Sequence, residues 1–324
     1  MTALETSNVT RLASHRELKR GYSTPPSIRG ALAEMHETSL LKSVATVGAD
    51  HVLAACSLGI AGRTGSQNAV IRAFCMVAAS TVCARAFRGL ENLVHEASHF
   101  NWSRDRRELN DRLSILLAAA PVGVKLSTYR AEHLLHHGKF GSESDPDFIR
   151  YRELGIDDLD RTNVWRFTGM LARKFVRYQQ GWFKSSSGSF IRSFALPSVY
   201  ASALILPQTR WIGSRGVIHA LVCWMLTTRV TLPLIRFVAE SSEHRFTGRT
   251  SVFEATISNL GWFQKVLFHP HGDGYHTIHH LWPGIPHHKV AATHRLLMSF
   301  PEGDYAQKLR YRTKLFESDR SQTQ

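Results

Sequence analysis

The sequence predicts an all-α membrane protein with two transmembrane helical hairpins, four spans in all. Three observations predict it. Apolar residues bunch into two pairs of runs, each pair split by a short polar turn. Basic residues are spread unevenly about those runs. Histidines gather in three motifs at helical spacing outside them. The 324 residues are 43% hydrophobic and 20% charged, which excludes a disordered chain and supplies ample material for a core. Cys56, Cys75, Cys83 and Cys223 form no CxxC pair and lie in apolar runs, so each reads as a small buried hydrophobe.

Residues 1–40 read as an N-terminal cytoplasmic or interfacial segment, because they lack the apolar stretch of a secretory signal. The first hairpin takes residues of about 44–61 and 68–88. The second takes 194–208 and 216–238, with QTRWIGSR in its turn. Each run is short beside the roughly 20 residues a bilayer core needs, so thinning or snorkelled ends are required. A soluble helical bundle is the alternative. Leu113–Val124 is too short to span and reads as an interfacial or re-entrant helix. Of the 40 Lys and Arg, 34 fall in residues 1–43, 86–193 and 231–324. The two outer turns hold only Arg63, Arg210 and Arg215. That is the positive-inside pattern, and it places both termini and the central segment on the cytoplasmic face of the inner membrane. Residues 298–324 read as a basic C-terminal tail. A net charge of +14 would also suit nucleic acid, but no helix-turn-helix, zinc-finger or RNA-binding signature is present. The expected partner is therefore the lipid bilayer, with no nucleic acid.

Eighteen residues are histidine. Eight of them form His95-Glu-Ala-Ser-His99, His133-Leu-Leu-His136-His137 and His276-Thr-Ile-His279-His280. On a helix, residues three and four apart share a face, so each motif is expected to aim its imidazoles in one direction. Neutral imidazole suits iron, zinc, copper and nickel. Eight such ligands exceed one ion's shell and suit two, so a dinuclear site is expected. HEASH also fits the HExxH pattern of a zinc hydrolase, with Glu96 as general base. That reading leaves both HxxHH motifs unused.

The segments HEASHFN, HLLHHGKFGSESDPD and HTIHHLWPGIP, in this order and with an apolar pair between the second and third, resemble the integral-membrane fatty acid desaturase family. Related hydroxylases, ketolases and alkane monooxygenases share the scheme. The resemblance runs from about residue 40 to about 297, so 41–297 is expected to form a desaturase-like domain. It implies four spans beneath a cytoplasmic helical cap that holds a diiron site of Fe2+/Fe3+, with O2 as cosubstrate. It further implies that His244, in Glu240-Ser-Ser-Glu243-His244, is a ninth ligand beside the eight. Some relatives carry asparagine four residues before that histidine, where this chain has Glu240.

The implied reaction is desaturation of an acyl chain or acyl-like substrate; hydroxylation of a lipid or small metabolite is the alternative. No Rossmann fingerprint, iron–sulfur cysteine set or haem domain is legible, so electrons are expected from an external donor, a ferredoxin, cytochrome or flavoprotein reductase. A redox-inactive metal-binding membrane protein is a more distant reading, since a transporter would place its ionisable ligands inside the spans.

Asp145, Asp147, Glu96, Glu132, Glu243 and Asp273 are candidates to orient the imidazoles, with arginine pairing as the competing role. Asp147 and Glu243 are assigned the orienting role; Glu96, Glu240, Asp273 and His271 join the candidate set. His269 stands close enough to the third motif to share it. His287, His288 and His294 read as solvated or packing residues. His15, His36, His51 and His219 are given no role.

Overall fold

The computed structural model describes residues 17–186, 188–189, 191–300 and 302–320; His15 lies outside them. Helices dominate, and the short strands Ser258–Asn259 and Tyr311–Arg312 pair in parallel. Three helical segments are long and apolar enough to cross a bilayer: Leu40–Arg63, Ala69–Ser98 and Ile191–Glu240. Their outer faces carry bare apolar side chains such as Val70, Phe74, Val52, Val199 and Ile218. A surface of this kind is costly in water and suits lipid.

The first two helices start on side-chain caps. Ser39 accepts from the Lys42 N–H and Asn68 from the Ile71 N–H, each satisfying an otherwise orphaned donor. Helix Ala69–Ser98 has 30 residues. At 1.5 Å per residue it is about 45 Å long, against a hydrocarbon core of about 30 Å. The expected span 68–88 therefore continues unbroken, and its last turns carry His95 out of the apolar layer.

The expected spans 194–208 and 216–238 appear as one 50-residue helical run, Ile191–Glu240. The run is not straight. Gly213 adopts φ 73° and ψ 171°, a conformation that glycine reaches without a Cβ clash, and breaks it in the expected turn. Arg229 lies 4.8 Å from the Phe194 ring centroid, so the two halves fold back beside one another. The second half packs on Leu40–Arg63 where Gly62 meets Gly216: a Cβ on Gly62 would lie 3.0 Å from the Gly216 carbonyl oxygen.

Leu113–Val124 overlaps a short helical segment, Arg107–Val122, that leaves Ile115 and Leu116 exposed. Beyond the apolar helices, Leu126–Lys139, Pro146–Leu154, Val164–Ser186, His276–Leu281 and His287–Met298 gather over the end of Ala69–Ser98. The described part of the C-terminal segment is docked. Tyr311 and Arg312 pair with Ser258 and Asn259, and the buried Asp319 accepts from Arg310 Nε at 2.7 Å.

Candidate metal centre

Four elements bring the nine predicted imidazoles together. The end of Ala69–Ser98 carries His95 and is followed directly by His99; Leu126–Lys139 carries the second motif and His276–Leu281 the third. His244 follows the last apolar helix, in a backbone bridge with Thr256.

The nitrogens form two adjoining sets. In the first, His95 Nε2 lies 2.8 Å from His279 Nε2, and His137 Nε2 lies 2.8 Å from the same atom. His133 Nε2 is 3.1 Å from His137 Nε2 and 2.8 Å from His99 Nε2. In the second set, His276 Nε2 is 3.0 Å from His244 Nε2 and 3.1 Å from His280 Nε2. His136 Nε2 completes it at 3.4 Å from His280 Nε2. His137 and His280 stack across the boundary with ring centroids 4.4 Å apart.

The expectation that each motif faces one way fits His95 and His99, which share the first set, and is corrected for the two HxxHH motifs. His133 and His137 enter the first set and His136 the second; His276 and His280 enter the second and His279 the first. The reason is angular. Residues i+3 and i+4 stand about 100° apart around a helix, on either side of residue i. Each HxxHH therefore straddles two centres, sending its i, i+4 pair one way and its i+3 residue the other.

The chemistry of the donors fits metal. Two nitrogens bound at a right angle to one ion, at about 2.1 Å each, stand about 3.0 Å apart, which is the spacing seen here. Burial also holds the imidazoles in the neutral form that binds metal. It pushes His276 down to about 3 and holds His99, His133, His137, His244, His279 and His280 well below the ordinary histidine value. His136 differs: burial lowers it, but the carboxylates of Asp147 and Asp145 raise it above that value.

The carboxylates take distinct places. Asp145, fully buried, accepts from His136 Nδ1 at 2.8 Å and also caps helix Pro146–Leu154 through the Asp147 and Phe148 N–H groups. Asp147 stands 3.8 Å from His136 Nε2 and pairs with Arg150 at 3.3 Å. Asp273 reaches to 3.9 Å from His95 Nδ1 while binding His269 Nδ1 and Arg88, each at 3.1 Å. Burial opposes its charge, yet Arg88 and His269 hold its carboxyl below the usual range. Glu243, beside Arg88 and His269, is raised by burial and by Asp273. Glu240 accepts from the Tyr178 hydroxyl at 2.6 Å and faces Arg150 at 3.5 Å, away from the imidazole nitrogens.

Among the described residues, four expected members, Glu240, Glu243, Glu96 and His271, form no side-chain hydrogen bond or ion pair with the nine, which corrects the orienting role given to Glu243. Glu96 accepts from the His287 N–H at 2.7 Å and from Asn101 Nδ2 at 3.3 Å, because it leaves the helix about 100° around from His95. That also removes the base a HEASH zinc hydrolase would need. His271 turns to Asp50, 2.6 Å away, which Arg85 also binds at 2.5 Å. His287 packs beside Glu96 and Thr46 and His294 meets Tyr305, while His36, His51 and His219 stay apart. Asp145, weighed without preference in the sequence, has the closest carboxylate contact. Its signal was the Asp-Pro step, an N-cap followed by proline at the first helical position.

The fold and this site define a helical protein with buried histidine clusters that could hold metal at the end of apolar helices. The family model for fatty acid desaturase matches residues 70–312, and the chain belongs to that family. The match begins later and runs further than the expected 41–297, taking in the strand pairing of the C-terminal segment. Dihydrorhizobitoxine desaturase of Bradyrhizobium elkanii is similar, 26% identical over 235 residues. The alignment spans 66% of this chain and 65% of that protein, just under two thirds of its length.

Proposed function

We propose that the chain is an oxygen-dependent, non-haem diiron desaturase of an acyl or acyl-like substrate. The carrying observation is the convergence of nine imidazoles into a set of five and a set of four. His95, His99, His133, His137 and His279 would hold one iron, and His136, His244, His276 and His280 the other. When bound, the iron pair with O2 supplies an oxidant able to take hydrogen from an unactivated C–H bond. The balance is one O2, two electrons from a donor protein, two protons and two substrate hydrogens, giving an alkene and two waters.

The chain's own groups do the positioning. Asp145 fixes the ring of His136 and the tautomer that leaves its Nε2 free, and Asp273 stands behind His95. The second-half helices fold back at Gly213, which supports four spans. The positive-inside count supports a cytoplasmic cap on the inner membrane. A ferredoxin, cytochrome or flavoprotein reductase would dock on the basic cap.

The relative is named for dihydrorhizobitoxine and not for a fatty acid, so the substrate is sought in aqueous as well as lipid extracts. The test is expression of the full chain with a reductase partner in a bacterial host, followed by mass spectrometry of aqueous and lipid extracts. A product two mass units below a host or supplied compound supports the reading. A gain of sixteen units instead assigns the hydroxylase alternative, and loss of neither signal on His279→Ala overturns the site.

A further inference from the structure

Two cavities meet at Trp182, and they differ in character. The first opens against five of the imidazoles, His95, His133, His136, His244 and His276. Eight of its twenty lining residues are ionisable acids or arginines, and Val94, Val124, Tyr129 and Trp182 also line it. The second lies between the apolar helices and is lined by Phe87, Val122, Phe183, Pro197, Leu232 and Pro233 among others.

A buried wall separates them. Arg236 binds the Glu91 carboxylate through Nε at 2.9 and 3.0 Å, and its guanidinium covers the Trp182 ring 3.4 Å from the centroid. Arg236 is 3% and Glu91 7% exposed. An aliphatic chain advancing from the bilayer side meets this ion pair before it meets an imidazole. Parting the pair would strand two charges out of water. Methylene groups also gain nothing by moving from lipid to a wall of charges, because their transfer is favourable only into apolar surroundings.

The lining of the first cavity offers binding groups of both signs. Arg150 has five donors in a planar fork and touches Asp147 and Glu240 only at 3.3 and 3.5 Å. Glu132 makes no hydrogen bond or ion pair among the described residues, though its charge acts on Arg150, whereas Glu243 Oε1 already faces His269 at 3.5 Å and Arg88 at 3.6 Å. The side chains of Arg150, Asp147 and Glu240 remain 21%, 31% and 24% exposed, so the cavity is open to water on their side.

We infer that the substrate is a small zwitterionic molecule of amino-acid type, entering from the aqueous side. Its carboxylate meets Arg150, its ammonium meets Glu132 and Glu240, and its short aliphatic chain faces the imidazoles. This rests on the desaturase reading and narrows its substrate from a long acyl chain to a charged, water-soluble one.

The experiment uses the iron-loaded full chain in detergent and equilibrium dialysis with labelled L-norleucine, hexylamine, hexanoate and stearoyl-CoA. Norleucine should bind more tightly than either singly charged six-carbon probe, and stearoyl-CoA should not displace it. Arg150→Gln should weaken norleucine and hexanoate about tenfold or more while sparing hexylamine. Glu132→Gln, which breaks no hydrogen bond or ion pair among the described residues, should weaken norleucine and hexylamine while sparing hexanoate. Trp182→Ala should let stearoyl-CoA compete. No saturable norleucine binding, or binding of stearoyl-CoA alone by the unaltered protein, overturns the inference. Iron content measured on the same sample separates the outcomes: two irons with no norleucine binding sinks the substrate class alone, whereas absence of iron sinks the desaturase reading.

Discussion

Replacing Asp145 tests how the protein holds His136. The carboxylate makes four contacts: His136 Nδ1 at 2.8 Å, the Gly141 N–H at 2.7 Å, and the Asp147 and Phe148 N–H groups at 2.9 and 3.2 Å. In Asp145→Ala the lost cap costs about 1 kcal/mol. The buried Gly141 N–H left without an acceptor costs about 1–3 kcal/mol more. Iron-free protein should therefore lose about 2–4 kcal/mol of stability. Iron-loaded protein should also lose metal affinity about 10- to 100-fold, because His136 is no longer oriented. Asp145→Asn keeps one acceptor oxygen and must turn its amide towards either Gly141 or His136, so its effects should be smaller in both measurements. Circular dichroism melts of iron-free protein report the first loss, and chelator competition reports the second. An alanine variant that melts like the parent and keeps iron as firmly would refute the role given to Asp145.

Three other outcomes are expected. Burial holds His276 near 3 and six other cluster histidines well below 6.5, so these seven groups add no pH dependence to iron-free protein above about 6.5. It should lose stability as pH falls from there towards 3, where the unfolded chain takes up protons that the folded one resists, and a flat melting temperature from pH 7 to 5 would contradict this. Gly261→Ala puts a Cβ 1.9 Å from the Thr313 carbonyl oxygen; it should cost about 1–3 kcal/mol and free the C-terminal segment, read as faster tryptic cleavage after Arg312. With four spans, cysteines placed at Arg63 and Arg210 should react with an impermeant maleimide from outside intact cells, and one at Lys308 only after lysis; labelling of all three from outside rejects the topology.

Much of the site was legible because its residues are chemically distinctive and their spacing is helical. The three motifs and His244 converge as the sequence suggested. The division into two sets was not legible from shared faces, since i+3 and i+4 count as neighbours until a second centre lies between them. Glu96 shows the same limit: adjacency in sequence placed it beside His95, but one step around the helix aims it at the His287 N–H. Asp145 and Asp147 flank Pro146 in the chain, and only the helix start at Pro146 decided which one turned inward. For the fold, the apolar runs were visible, while their ends were not. Ala69–Ser98 continues ten residues past the expected span because nothing between Phe87 and Ser98 breaks a helix. The Arg236–Glu91–Trp182 wall joins residues far apart in sequence, with no local pattern to announce it.

Metal analysis joined to iron Mössbauer spectroscopy of the full chain, produced with iron-57 and never exposed to chelator, tests the central claim most directly. Two irons per chain, in two unequal nitrogen-rich environments of five and four imidazoles, are predicted. A single zinc, or one iron that survives Ala substitution of both His244 and His276, would contradict it.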